Sequence, residues 1–256
     1  MALSWSGRRK LLYTGVAGAI LAVIALWVGI SIFSKPPTCF DGKQNQGEQG
    51  IDCGGPCARI CTFNVRAPVV LWTRALPTSP HTYTAVAYIQ NPNAGERAGA
   101  RGVHYVFRLL DNSNTLIIEK SGVTDLLPQE IIPIVEPNIE TGDRPVAHVF
   151  FDFDTTFGDI VWDTIPQSSL QPLRLTDQSP AQSSPLSATL VNDGTQPARD
   201  VTVAAVLFDQ TDTVIAASKS LITRIDSGAS QNVVFTWSAT TSAAVRAELT
   251  IVPALP

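Results

Sequence analysis

Charge is absent where it would be hardest to accommodate. From Leu11 to Phe33 the chain runs for 23 residues without Asp, Glu, Lys or Arg. Methionine occurs once and histidine three times, and no cysteine follows residue 61. A single Met excludes a Met-rich adaptable binding surface. The sequence has no H-E-x-x-H, no G-x-S-x-G, no Gly-rich phosphate loop and no Cys/His nucleophile pair, which removes the common hydrolase, zinc-protease and nucleotide-binding readings. The expected class is therefore a non-enzyme. Charged residues make up only 16 % of the chain against 45 % hydrophobic ones, so the chain can bury cores and is not a disordered stalk.

The uncharged run follows Arg8, Arg9 and Lys10 directly. As a helix it spans about 34 Å, enough for a hydrocarbon core of roughly 30 Å. It is longer than the apolar core of a cleaved signal peptide, and Ser34-Lys35-Pro36-Pro37 after it offers no A-x-A cleavage pattern. The reading is a cytoplasmic tail over residues 1–10 and a transmembrane helix over 11–33, with the rest outside because the basic cluster stays in. Gly15, Gly18 and Ala19 form a small-residue face suited to a helix-mediated oligomer.

The 18 basic residues include the three before the helix, leaving 15 against 22 acidic ones in the external part. A mildly acidic surface argues against nucleic acid and anionic lipid as partners. Cys39, Cys53, Cys57 and Cys61 sit together just outside the predicted membrane span. An even count in an oxidising compartment predicts two disulfides in a module over residues 34–62, with three pairings open. Between the first two cysteines, Asp41, Asn45, Glu48 and Asp52 place side-chain oxygens every three or four residues on a Gly-rich loop. Hard oxygen donors on a tightly turning chain are what Ca²⁺ requires, so these four are candidate calcium ligands; the alternative is that they cap turns through their own backbone.

The stretch from Cys39 to Cys57 resembles a short cysteine module, C-x-D-G-x-x-N-x-x-E-x-x-x-D-C-G-G-x-C, that recurs in secreted and surface proteins. The resemblance implies a disulfide-tied spacer.

Residues 103–127 set against 201–225 match at a constant offset of 98. Val103 meets Val201, Leu109 meets Leu207, Asp111 meets Asp209, and Thr115-Leu116-Ile117 meets Thr213-Val214-Ile215. Asn91-Pro92-Asn93 lies near the place of Asn192-Asp193-Gly194, with three extra residues in the first copy. Alternating stretches such as Thr82–Ile89, Val103–Leu109 and Val201–Leu207 predict half-buried strands, closed by strands at Val146–Phe153 and Val245–Val252. The fold class is all-β outside the membrane, in two tandem immunoglobulin-like β-sandwiches over residues 63–163 and 164–256. A short, semi-rigid hinge is expected in the Pro/Ser/Gln-rich stretch from Thr164 to Ser184.

Phe107-Arg108-Leu109-Leu110-Asp111, and more loosely Val206-Leu207-Phe208-Asp209, resemble the small bacterial β-sandwich domains of the FxLYD and CARDB families. The resemblance implies an immunoglobulin-like or fibronectin-like sandwich with an envelope interaction role and no catalytic residue.

The remaining candidates are few. His81, His104 and His148 read as surface or edge residues. Asp152, Asp154 and Asp159, interleaved with Phe151, Phe153 and Phe157, read as a strand ending in a turn. Among Trp72, Trp162 and Trp237, a core anchor is the expected role, and Trp162 is the candidate for an exposed contact. The functional expectation is a single-pass envelope protein that presents two sandwiches for protein–protein interaction or structural support. Alternatives are an accessory subunit of a secretion or pilus-type assembly and an extracellular carbohydrate-binding module.

Overall fold

The computed structural model describes residues 5–33, 38–129, 131–237 and 243–255. They fall in two compact units, Met1–Pro56 and Cys57–Pro256.

In the first unit, the uncharged run and its basic flank form one helix, α1 (Trp5–Phe33). No proline interrupts it, and Thr14 Oγ1 donates back to the Lys10 carbonyl at 2.8 Å, the usual way a helical threonine hides its hydroxyl. The helix is long and apolar enough to cross a membrane or to serve as a signal sequence. Ser34 to Pro37, on which the reading against cleavage rests, lie outside the described residues. The remainder, to Pro56, is turns rather than strands or helices.

The second unit is built from thirteen strands. The first seven are β1 (Val69–Ser79), β2 (Thr82–Gln90), β3 (Ala98–Leu110), β4 (Leu116–Leu126), β5 (Ile131–Glu140), β6 (His148–Phe153) and β7 (Trp162–Thr164). The other six are β8 (Leu173–Thr176), β9 (Leu186–Asn192), β10 (Ala198–Phe208), β11 (Val214–Ile225), β12 (Ser230–Phe235) and β13 (Arg246–Val252). They form four antiparallel sheets, ordered β1-β2-β5, β4-β3-β6 with β7 also on β3, β11-β10-β13 and β12-β9-β8. Helical turns here are single 3-10 turns, among the described residues.

The offset of 98 is realised in hydrogen-bond register. Val103 pairs with Thr124 and Leu109 with Ile118 in the first hairpin; Val201 pairs with Ile222 and Leu207 with Ala216 in the second. Both hairpins bulge at the same place, between Leu109 and Leu110 and between Leu207 and Phe208. Their turns are built alike. The Asp111 carboxylate accepts the N–H groups of Ser113 and Thr115, and that of Asp209 accepts those of Thr211 and Thr213. Asn114 and Asp212 take the left-handed position, each with φ of 56°. Upstream, Asn91 and Asn192 are buried and donate through Nδ2 to the carbonyls of Leu127 and Ile225, stitching loop to hairpin.

The sheets pack by apolar faces. Ala85, Ala87 and Ile89 of β2 and Tyr105, Phe107 and Leu109 of β3 share one core, which also takes in Leu255 near the chain's end. Leu190 of β9, Val203 and Ala205 of β10 and Phe235 of β12 form a second. A third core joins the two sheet pairs: Leu76, Val86, Tyr88 and Val135 pack against Ala204, Val206, Phe208, Val214 and Ala217. One expectation changes here. Strands β2 and β10 are buried on both faces rather than one, because each central strand has a sheet stacked on either side. The stretch from Thr164 to Ser184 holds β8 and lies within the compact unit Cys57–Pro256.

Candidate functional site

In the cysteine module, none of the four cysteines is free, and all are disulfide-bonded. Three of the four expected calcium ligands, Asp41, Glu48 and Asp52, point their oxygens at neighbouring N–H groups. Asp52 accepts from the amides of Asp41 at 3.0 Å and Gly42 at 2.9 Å. Asp41 accepts from the Lys43 amide at 2.9 Å and from Asn45 Nδ2 at 2.8 Å, and these donors, Asn45 first, hold its carboxyl below the usual carboxylate range. Glu48, buried, accepts from the amides of Asn45 and Asp52. Asn45 Oδ1 is buried without a hydrogen-bond partner. Gly55 is required by packing, since a Cβ there would lie 2.3 Å from the Gly47 carbonyl oxygen. As arranged, the carboxylates of Asp41, Glu48 and Asp52 cap turns, while the side chain of Asn45 donates to Asp41 and leaves its own oxygen without a partner.

The other candidates are dispersed. Asp152 pairs with Arg108, Asp154 caps a turn through Thr156, and Asp159 is exposed. The Thr156 hydroxyl and amide keep the Asp154 carboxyl below its ordinary value. His104 stacks on the exposed ring of Phe157 at 4.2 Å, while His81 contacts the Gly142 carbonyl. Trp162, the candidate for an exposed contact, is a core residue at 4 % exposure, because β7 folds it under β3. Trp237 packs on Phe235. Trp72 on β1 is half-buried, its ring stacked on Tyr88 at 4.3 Å.

A polar cluster in the junction escaped sequence reasoning. Glu136 of β5, only 8 % exposed, accepts from the Tyr105 hydroxyl at 2.5 Å and from Lys219 Nζ of β11 at 2.9 Å. Burial, and then the adjacent carboxylate, push the Tyr105 phenol far up, so it stays protonated and donates. The reach of Tyr105 depends on its cross-strand partner, Gly122, where a Cβ would collide with the phenol oxygen at 2.3 Å. Gly122, inside an otherwise regular strand pattern, was the available signal. The cluster borders a small cavity of about 70 Å³ and ties the two sheet pairs together by charge.

The surface best suited to recognition lies along β1. Among the described residues this strand pairs only with β2, so its other side is an unpaired edge. Val69, Val70 and Leu71 are exposed at its start. Two hollows flank the edge: one of about 350 Å³ against β6, with Thr73, Ala75, His148 and Phe150 in its wall, and one of about 240 Å³ between Trp72, Arg74, Phe208 and Asp212. Exposed apolar edges with adjacent hollows are places where proteins accept other chains.

No protein-family model and no curated protein matches this chain. Among solved structures, it is similar to red sea bream transglutaminase at 9 % identity over 73 % of this chain, with a TM-score of 0.22. It is similar also to a β-glucuronidase of Bacteroides uniformis at 11 % identity over 69 % of this chain, with a TM-score of 0.15. The chain spans 31 % and 22 % of those two chains' lengths.

Proposed function

We propose that the chain is a single-pass membrane protein that presents two tandem immunoglobulin-like sandwiches outside the membrane for protein–protein interaction. In this reading residues 1–10 stay in the cytoplasm, α1 is the anchor, the disulfide module is the spacer, and the stacked sheets are the presented body. The observation that carries it is the succession of a membrane-length helix and four disulfide-bonded cysteines. Disulfides persist in oxidising compartments, which supports the outward side for everything after the helix. The resemblance to FxLYD and CARDB domains suggests an envelope setting.

A membrane-impermeant amine reagent on intact cells tests the topology. Lys43 and Lys120 are exposed and label, whereas Lys10 labels only after lysis. Labelling of Lys10 in intact cells overturns the orientation. A mature protein that begins after Phe33 makes the helix a cleaved signal and removes the anchor. In the spacer, Asp41, Asn45, Glu48 and Asp52 are the residues that would hold Ca²⁺, and calorimetry of the full chain at millimolar Ca²⁺ decides the matter by heat above dilution.

A further inference from the structure

We propose that the free edge of β1 takes up an extended peptide segment of a partner protein as an added strand, with an acidic side chain of that segment opposite Arg74. The inference rests on the interaction reading above and names its partner chemistry.

The edge is open in its main chain. Among the described residues no backbone hydrogen bond crosses from β1 to β6; the link between them is the Thr73 hydroxyl, which donates to the Val149 carbonyl at 2.8 Å. A long edge strand is normally blunted by charge, proline or a bulge at its exposed end. Here the first three residues are exposed and apolar; a bulge interrupts the register between Val70 and Trp72 and Pro77 comes near the far end, so the regular stretch open to an added strand is Trp72–Leu76.

The hollows match the alternation of a strand. Thr73 and Ala75 lie opposite Ala87 and Ala85, whose side chains enter the first core, so they face the β6 side. Trp72 and Arg74 lie opposite Tyr88 and Val86, whose side chains enter the junction core, so they face the second sheet pair. A strand laid along β1 sends alternate side chains to the same two sides. One set reaches the hollow beside Phe150, and the other reaches the hollow of Trp72 and Phe208.

Charge chooses the occupant. Arg74 is exposed, and its guanidinium donates one long hydrogen bond, 3.4 Å from Nη1 to the Val214 carbonyl. Among the described residues no carboxylate lies within ion-pair distance of it. Neighbouring Asp212 is engaged by Arg246, and Asp209, which feels the Arg74 charge without pairing with it, is hydrogen-bonded to Thr211 and Thr213. The fork of donors is therefore available to a carboxylate from outside. A second copy is the poorer occupant, because β1 carries Arg74 and no acidic residue, and β1–β1 pairing brings two guanidinium groups to one edge.

The test uses the full chain in detergent, with a displayed library of random twelve-residue peptides as the probe. The expected selection is for alternating apolar peptides with an Asp or Glu, and a synthetic copy slows amide exchange across Val70–Leu76. Arg74→Glu weakens that peptide roughly tenfold or more and turns the selection towards Lys and Arg; Arg74→Lys keeps the acidic preference. Arg74 is exposed, so matched thermal melts establish that each variant is folded. Enrichment of nothing above the bare support overturns the proposal, as does binding indifferent to Arg74→Glu. Protection of β1 that grows with protein concentration in the absence of peptide assigns the edge to a second copy instead. Protection on β4 in place of β1 overturns the edge while leaving the interaction reading intact.

Discussion

The two hairpins have the same register, bulge and turn, yet their outward faces meet opposite environments. Arg108 in the first corresponds to Val206 in the second, and Glu119 corresponds to Ala217. Arg108 pairs with Glu119 and Asp152 on an open face, its side chain 41 % exposed. Val206, 1 % exposed, is packed with Ala217 into the core that joins the sheet pairs. One backbone plan thus supports a solvated sheet and a sheet buried on both faces, and the outward residue of each pair decides which it is. The inward residues differ as well: Phe107 and Phe151 fill the first core where Ala205 and Leu249 stand in the second. A larger first core is consistent with its taking in Trp162 and the chain-terminal Leu255, which the second lacks.

The comparison can be strained at several points. Leu109 and Leu207 are both fully buried at equivalent positions, so either changed to Ala should cost about 2–5 kcal/mol in urea unfolding. A loss under about 1 kcal/mol at one of them would break the equivalence. Exchanging the outward residues should be lopsided. Val206→Arg places an unpaired charge in the junction and should cost at least about 3 kcal/mol, whereas Arg108→Val removes a surface pair and should stay within about 1 kcal/mol. Equal effects would mean that the junction is not the covered face. Glu136→Gln keeps the shape but leaves Lys219 facing a neutral group; a loss of about 1–3 kcal/mol, read by denaturant titration, is expected.

The smallest effect concerns the paired turns. Arg144 first holds the Asp111 carboxyl below its ordinary 3.8, and the Thr211 hydroxyl first does so for Asp209. A depressed acid contributes stability that is fully present above its unfolded pKa and is lost as pH falls through the folded one. Melting temperature should therefore drop as pH falls below about 4, and Asp209→Asn should flatten part of that drop. A pH profile unchanged by both Asp→Asn substitutions would separate the two turns from acid sensitivity.

Much of the fold was legible because repetition amplifies weak signals. The offset of 98 placed Leu109 and Leu207 correctly, and the paired Asp turns marked each hairpin. The junction was not read, although Ala204-Ala205-Val206-Leu207-Phe208 is a continuous apolar run of the kind that belongs to a strand covered on both faces. Reading it as alternation with small side chains concealed the second covered face. Trp162 was misplaced because a three-residue strand has too little periodicity to show its direction. The free edge of β1 was invisible for a different reason: sequence shows which residues suit a strand, but not which side of it lacks a neighbour.

Hydrogen exchange across a denaturant series on the full chain tests most directly whether the junction makes one body of the two sheet pairs. The account predicts that the amides of Ile132, in the first pair, and of Ile222, in the second, open with one common free energy and one denaturant slope. Two separate openings, with the second pair exchanging while the first stays closed, would contradict it.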